Sequence, residues 1–145
     1  SNMQHLIVFP NNDAGSKNIL NEISKAKLNY VSTLSLDEYK SLLCGKMILI
    51  GNSSSGVHEA ASFNVPVINI GSRQDGRKKP GNVINVDYNN IQITRAILKA
   101  QSYKFKNKII NIKNPYGDGK SSKKIIKIIK KLKLNNFNTQ KNLTY

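Results

Sequence analysis

The chain has 145 residues, a formal net charge of +15 and one cysteine, and 39% of its residues are hydrophobic. This length predicts one domain with an ordinary hydrophobic core. We find no run of roughly 20 apolar residues, no leader pattern at the start and too few cysteines for a disulfide framework or a cysteine-based metal site. We therefore expect a cytoplasmic protein that needs no membrane, metal or cofactor.

Strand and helix patterns alternate along the chain, which predicts an α/β fold with a parallel sheet and helices on both faces. The predicted strands are 5–9, 28–32, 47–50, 65–70 and 82–86. The predicted helices are 16–27, 36–44, 55–63, 91–100 and 121–134, and the segment 103–112 fits a short helix less clearly.

The helix 36–44 has clear start and stop signals. Ser35 and Glu38 have the spacing of a capping box, and Gly45 ends the helix. Cys44 is expected to be a core residue rather than a nucleophile, since no nearby base would activate it. The side chains expected to face the core are Leu36, Tyr39, Leu42 and Leu43 in this helix and Ile91, Ala96 and Ile97 in the helix 91–100.

A glycine- and serine-rich turn, GNSSSG at 51–56, follows the third predicted strand and opens a helix. The first N–H groups of a helix have no partner within it, and the helix dipole favours an anion there. Glycines let the backbone approach a diphosphate, and serine hydroxyls add donors. Glu59 is placed one turn later to accept ribose hydroxyls, whereas His58 is expected on the surface. The alternative is a plain capped loop, and spacing alone does not separate the two.

A basic loop, Gly71–Lys79, follows the next predicted strand and therefore leaves the same edge of a parallel sheet. Arg73, Arg77, Lys78 and Lys79 give it four cations within seven residues. Arginine suits bidentate phosphate contacts. This position favours an anion-binding loop over a merely solvated one. The polar loop around Asn11 also follows a strand, but alone it indicates little. No lysine follows the Gly/Ser turn as in a P-loop, which argues against a P-loop NTPase.

The last predicted helix is amphipathic, with an apolar stripe of Ile125, Ile128, Ile129 and Leu132 opposite Lys120, Lys124, Lys127 and Lys131. From Lys104 to the end there are twelve lysines and one acidic residue, Asp118. Such a basic segment is typical of nucleic-acid binders. Because it lacks arginine and has few aromatic residues, we favour a solvated helix face and do not expect nucleic acid as a partner.

Three segments carry a family resemblance: PNNDAGS at 10–16, IGNSSSGVHEAASFNVPVINIGSRQDGR at 50–77 and NPYGDGKSS at 114–122. Together they resemble the C-terminal domain of hydrolysing UDP-N-acetylglucosamine 2-epimerases, which make N-acetylmannosamine for sialic-acid-type sugars. The resemblance implies half of a GT-B fold, in which two Rossmann-like domains enclose the active site. Residues 3–134 would be the second, UDP-binding domain, 1–2 a tag remnant and 135–145 a polar, frayed tail.

The resemblance also implies roles for individual residues. Ser53 and Ser54 would hold the diphosphate and uridine portion, Glu59 the ribose, and Arg73 and Asn11 would line the cleft. The full set expected to bind UDP is Asn11, Asn52, Ser53, Ser54, Ser55, Gly56, Glu59, Arg73 and Arg77.

The family reaction removes the C2 proton of the sugar, eliminates UDP and adds water. Its acid/base residues lie mainly in the first domain, so we expect this chain alone to be inactive and can name no catalytic residue in it. The resemblance also implies a UDP-sugar substrate, UDP as product and a homo-oligomer at full length. The last helix would pack across the domain junction, so its stripe would promote self-association in the isolated domain.

Three other functions remain open on the sequence: a GT-B UDP-sugar glycosyltransferase, a nucleic-acid-binding module and a stand-alone nucleotide sensor. The sequence also does not separate UDP-N-acetylglucosamine from diacetamido sugars as the substrate.

Overall fold

The computed structural model describes residues 4–10 and 15–132, and the chain divides into two compact units, Ser1–Ile48 and Leu49–Tyr145. Every strand pairing in the described residues is parallel, and helices separate most strands. The predicted α/β fold class is therefore confirmed. The proposed tag remnant at 1–2 and the tail at 135–145 lie outside the described residues, and the single domain over 3–134 stays a prediction.

The first unit contains β1 (Ile7–Val8), α1 (Ser16–Lys25), β2 (Tyr30–Val31) and α2 (Leu36–Cys44). β1 and β2 pair in register from Ile7 opposite Tyr30, and the ring of Phe9 stacks on that of Tyr30 with centroids 4.7 Å apart. Ile23 and Leu43 are its buried hydrophobic residues. The strands are shorter than predicted but fall within the predicted ranges.

The predicted capping box at the start of α2 is confirmed. The Glu38 carboxylate accepts the Ser35 backbone N–H at 2.8 Å, and the Ser35 hydroxyl accepts the Glu38 N–H at 3.3 Å. The burial prediction is wrong for two residues, because Leu36 and Leu42 are 67% and 38% exposed while Leu43 is buried. Leu36 lies in the first turn, beyond the buried end of the helix.

Cys44 is exposed, so its assignment to the core is also wrong. It follows Leu43 directly and therefore points about 100° away from it around the helix.

The second unit contains β3 (Leu49–Gly51), α3 (Ser55–His58), a 3₁₀ helix (Ala60–Phe63), β4 (Val67–Ile70), β5 (Val83–Val86), α4 (Asn90–Gln101), α5 (Tyr103–Ile109) and α6 (Ser121–Ile129). Its strands form one parallel sheet in the order β3-β4-β5. The predicted helix 55–63 is one α-helical turn followed by the 3₁₀ helix. Asn64 then adopts φ 55°, and the Val65 N–H bonds to Ala60 O, which turns the chain tightly into β4.

The core of this unit surrounds β4, whose residues 67–69 are buried. α4 packs on it through Ala96 and Ala100, whereas Ile91 in the first turn is 63% exposed, contrary to the prediction. The segment that was unclear from sequence is α5, a helix capped by the Ser102 hydroxyl. The buried hydrophobic residues are Val57, Ala60, Ala61, Val65, Val67, Ile68, Ala96, Ala100, Phe105 and Ile109.

α6 has the predicted amphipathic pattern but ends at Ile129, short of the predicted residue 134. Its apolar stripe is exposed: Ile125, Ile128 and Ile129 are 54%, 60% and 59% accessible. Across the described residues, no helix combines the length and apolar character that crossing a bilayer requires.

Candidate functional site

The Gly/Ser turn and the basic loop leave neighbouring strands at one edge of the sheet. β3 and β4 are parallel, with Gly51 opposite Asn69, so both loops begin at the carboxyl ends of adjacent strands. This placement is the one that the sequence predicted. Open α/β sheets bind ligands at this edge.

The Gly/Ser turn presents Ser53 and Ser54 outward. Gly51 has φ 144°, and the Asn52, Ser53 and Ser54 side chains are exposed beyond it. The N–H groups of Gly56 and Val57 bond to Ser53 O and Ser54 O, so they are used within the turn. Because α3 is only four residues long, its dipole is small and favours an anion less than the sequence predicted. The serine hydroxyls are the donors that the turn offers most openly.

Gly56 serves packing in this arrangement. It is buried, and a Cβ at this position would lie 2.8 Å from Val67 Cγ1 and 3.5 Å from Leu49 Cδ2. The missing side chain lets α3 lie directly on β4, as the last glycine of dinucleotide-binding turns lets helix and strand approach.

Hydrogen bonds hold the first residues of the basic loop, and an ion pair within the loop neutralises one of its positive charges. Asn69 donates to Gly71 O at 3.3 Å and to Asn85 Oδ1 at 3.0 Å, which secures the first turn after β4. Lys79 forms an ion pair with Asp75 at 2.8 Å, so its charge is already matched. Arg73 and Arg77 are exposed and supply the guanidinium groups of the loop.

Gln74 lies inside this basic loop but is buried, with 1% exposure. Its Nε2 donates to the backbone carbonyl of Asn52 at 2.7 Å. The two predicted anion-binding loops are therefore tied together by one hydrogen bond between residues 22 positions apart.

Glu59 is exposed at the end of α3 and lines a depression of about 260 Å³. His58 and Ser62 also line it, and so does the turn containing Asn114 and Tyr116. The depression therefore presents a carboxylate among polar side chains close to the Gly/Ser turn, an environment suited to hydroxyl groups.

The NPYG turn at 114–117 braces this depression. Asn114 donates to His58 O at 2.7 Å and to Ser62 Oγ at 2.8 Å, and the Tyr116 hydroxyl donates to Lys78 O at 3.0 Å. The Tyr116 and His58 rings lie 4.4 Å apart between centroids. His58, which was expected on the surface, is half-buried against Tyr116 and lines the depression.

The structure brings most of the predicted binding residues to one region of the second unit. Five side chains are exposed there: Ser53, Ser54, Glu59, Arg73 and Arg77. Asn52 contributes its carbonyl to Gln74, and Ser55 is half-buried at the start of α3. Asn11 lies outside the described residues. Within the described ranges, no group of three or more His, Cys, Asp or Glu side chains is arranged to hold a metal ion.

Three residues that were not among the predicted site residues also contribute to this region: Gln74, Asn114 and Tyr116. Asn114 and Tyr116 belong to a recognisable NPYG turn, so their bracing role had a local signal. The burial of Gln74 had none, because its neighbours in sequence are charged.

Residues 1–130 match the family model described as UDP-N-acetylglucosamine 2-epimerase. The chain belongs to this family. It is 36% identical over 138 residues to a protein named UDP-N,N'-diacetylbacillosamine 2-epimerase (hydrolyzing) from Legionella pneumophila, covering 92% of the chain and 36% of the relative. It is 35% identical over 98 residues to UDP-N-acetylglucosamine 2-epimerase from Neisseria meningitidis, covering 66% of the chain and 26% of the relative.

A crystal structure of UDP-GlcNAc 2-epimerase from Neisseria meningitidis bound to UDP-GlcNAc has a similar fold. Its TM-score is 0.65 at 20% identity, covering 89% of this chain and 36% of that one. This likeness supports the fold. The chain thus spans between about a quarter and about a third of the length of these proteins.

Proposed function

We propose that this chain is the UDP-binding part of a hydrolysing UDP-N-acetylglucosamine 2-epimerase, which yields N-acetylmannosamine and UDP by elimination and water addition. The observation that carries the proposal is the meeting of the Gly/Ser turn and the arginine-bearing loop at one sheet edge, joined through Gln74 and Asn52. Membership of the 2-epimerase family supports it.

The chemistry of the edge suits a nucleoside diphosphate. The hydroxyls of Ser53 and Ser54 are donors for the diphosphate, and the guanidinium groups of Arg73 and Arg77 balance its charge through bidentate contacts. Glu59 accepts the ribose hydroxyls from its depression beside the turn. The proposed UDP-binding set also includes Asn52, Ser55 and Gly56, which shape the turn. Its remaining member is Asn11.

The proposed substrate is a UDP-sugar, and its sugar is read outside this chain. The names of two relatives specify different sugars, diacetylbacillosamine in Legionella pneumophila and N-acetylglucosamine in Neisseria meningitidis. The chain alone is proposed to be inactive, because the acid/base groups belong to the rest of the enzyme. The whole enzyme is proposed to be a cytoplasmic homo-oligomer. Detectable release of N-acetylmannosamine by the purified chain would refute its inactivity.

The proposal is tested by a thermal-shift titration of the chain with UDP, uridine and a short oligonucleotide. A ligand that binds only the folded state stabilises it by about 2.7 kcal/mol at a hundredfold excess over Kd. We expect UDP to raise the melting temperature more than uridine does, because the diphosphate engages the serines and arginines.

Variants locate the effect. Arg73→Ala and Glu59→Gln should reduce the UDP-induced shift, whereas Arg95→Ala, which removes an exposed arginine on α4, is the matched charge control and should preserve it. A shift with the oligonucleotide and none with millimolar UDP would contradict the proposal and support nucleic-acid binding by the lysine-rich segment.

A further inference from the structure

Gln74 occupies an unusual position for a residue in a charged loop. Arg73 before it and Asp75 after it are exposed, yet Gln74 is 1% exposed and is among the largest fully buried side chains. Its Nε2 donates to the Asn52 carbonyl at 2.7 Å. The side chain therefore passes from one proposed phosphate-binding loop to the backbone of the other.

Packing alone does not account for a glutamine here. Its Oε1 is buried and has no hydrogen-bond partner among the described residues. An unpaired buried carbonyl oxygen is unfavourable, and an apolar side chain of similar size would avoid this cost. What the glutamine provides and an apolar side chain cannot is the bond from Nε2 to Asn52.

That bond acts at the junction between β3, which ends at Gly51, and the Gly/Ser turn. The segment after Asn52 is held by its own bonds, such as Gly56 N–H to Ser53 O at 3.2 Å. Before Asn52, Gly51 has φ 144°, a conformation that side-chain-bearing residues rarely adopt. The carbonyl between these two regions is fixed from outside the turn, by Gln74.

We propose that Gln74 is a positioning residue that holds the turn 51–56 at a fixed distance from Arg73, so that serine hydroxyls and guanidinium meet the two ends of one diphosphate. This inference rests on the proposed function. Gln74 does not touch the ligand, because its side chain is buried and engaged with Asn52. Its effect on binding is transmitted through the backbone of the turn.

The test replaces Gln74 with methionine, which keeps the length and volume of the side chain but removes the donor. Amide hydrogen exchange across residues 51–56 measures the turn, with the buried strand β4 as the internal reference. Isothermal titration with UDP measures binding. In Gln74→Met we expect exchange in the turn to be faster, and UDP affinity weaker, by about tenfold or more. If Gln74→Met does not fold, Gln74→Asn, which withdraws the amide by one methylene, replaces it.

Asn82 provides a matched control. It is also a fully buried carboxamide, it donates to Val65 O at 2.7 Å, and its Oδ1 likewise has no partner among the described residues. It lies before β5 and beside the start of β4, at the opposite end of the sheet from the turn. Asn82→Leu should lower stability yet leave exchange in 51–56 and UDP affinity unchanged.

The outcomes separate this inference from the proposed function. Faster exchange confined to the turn together with weaker UDP binding supports the positioning role. If amide exchange in the turn is unchanged in Gln74→Met, the positioning role is overturned. It is also overturned if exchange in the turn changes while the affinity for UDP does not. If the unsubstituted chain does not bind UDP, the proposed function fails for this chain. The exchange result then still decides whether Gln74 holds the turn.

Discussion

The side chain of Asn114 donates to the backbone carbonyl of His58 at 2.7 Å, across 56 residues of sequence. The same amide group donates to Ser62 Oγ at 2.8 Å, and the Asn114 Oδ1 accepts the N–H of Tyr116 at 2.9 Å. One side chain thus joins the NPYG turn to both helical turns that follow the Gly/Ser turn. The segment 114–122 thereby supports the segment 50–77, and both carry the family resemblance.

Asn114→Ala should destabilise the chain by about 1–3 kcal/mol, because the His58 carbonyl loses its side-chain donor in a half-buried site. Urea unfolding followed by circular dichroism measures the change. Asn107→Ala, an exposed asparagine on α5, is the matched control and should stay within about 0.5 kcal/mol of the unsubstituted chain. Equal effects of the two substitutions would show that the Asn114 contacts contribute nothing.

Gly56→Ala should destabilise the chain by about 1–3 kcal/mol through overpacking, since the added Cβ would lie 2.8 Å from Val67 Cγ1. Val67 is β-branched and has little freedom to move aside. Adding Val67→Ala removes the clashing methyl group, so the double variant should lose less stability than the two single losses combined. If the losses of unfolding free energy measured in urea simply add, the strain in Gly56→Ala does not come from contact with Val67.

The capping box of α2 should be sensitive to acid. The hydrogen bond from the Ser35 hydroxyl, followed by that from its backbone N–H, lowers the pKa of Glu38. Because the folded-state pKa lies below the unfolded one, the capping box stabilises α2 at pH values above the ordinary glutamate pKa, about 4.3. This stabilisation is lost as the pH falls through the lowered pKa of Glu38 in the folded state.

An NMR titration of the Glu38 carboxyl carbon checks this pH dependence. In Ser35→Ala the hydroxyl bond is gone, so the pKa of Glu38 should rise toward the ordinary glutamate value. An identical pKa in the two proteins would mean that the hydroxyl does not stabilise the carboxylate.

The exposed stripe of α6 should make the chain self-associate. Ile125 and Ile129 are 54% and 59% exposed and lie one helical turn apart on one face. Sedimentation equilibrium should show an average mass that rises with protein concentration. Ile125→Asn combined with Ile129→Asn should abolish that rise, while Lys123→Asn with Lys127→Asn, at the same spacing, should not. A monomer at every concentration would contradict the prediction.

Much of this fold was accessible from sequence because its signals are local. The capping box at Ser35 and Glu38 depends on two residues three positions apart, and the alternation of apolar segments with turns predicted all five described strands. The predictions of individual buried residues were less accurate. Leu36 and Ile91 fit helical periodicity, but each lies in the first turn of its helix, and a periodic pattern does not show how far the core extends along a helix axis.

The residues proposed to bind UDP and the residues that support them also differ in how far the sequence predicted them. Ser53, Ser54 and Arg73 lie in loops that follow adjacent parallel strands, so sequence and topology together placed them at one edge. Gln74 acts through a contact across 22 residues, and nothing in its charged surroundings indicates burial. Long-range hydrogen bonds of buried amides have no periodic or compositional signature, and only the folded structure reveals them.

The proposed function requires UDP to bind at the edge shared by the Gly/Ser turn and the basic loop. Chemical-shift mapping checks this binding by titrating the isotopically labelled chain with UDP and following each backbone amide. We expect the largest perturbations at 51–59 and 71–77, with little change along α6. Perturbations concentrated on the lysines of α6, or spread evenly over the chain, would contradict it.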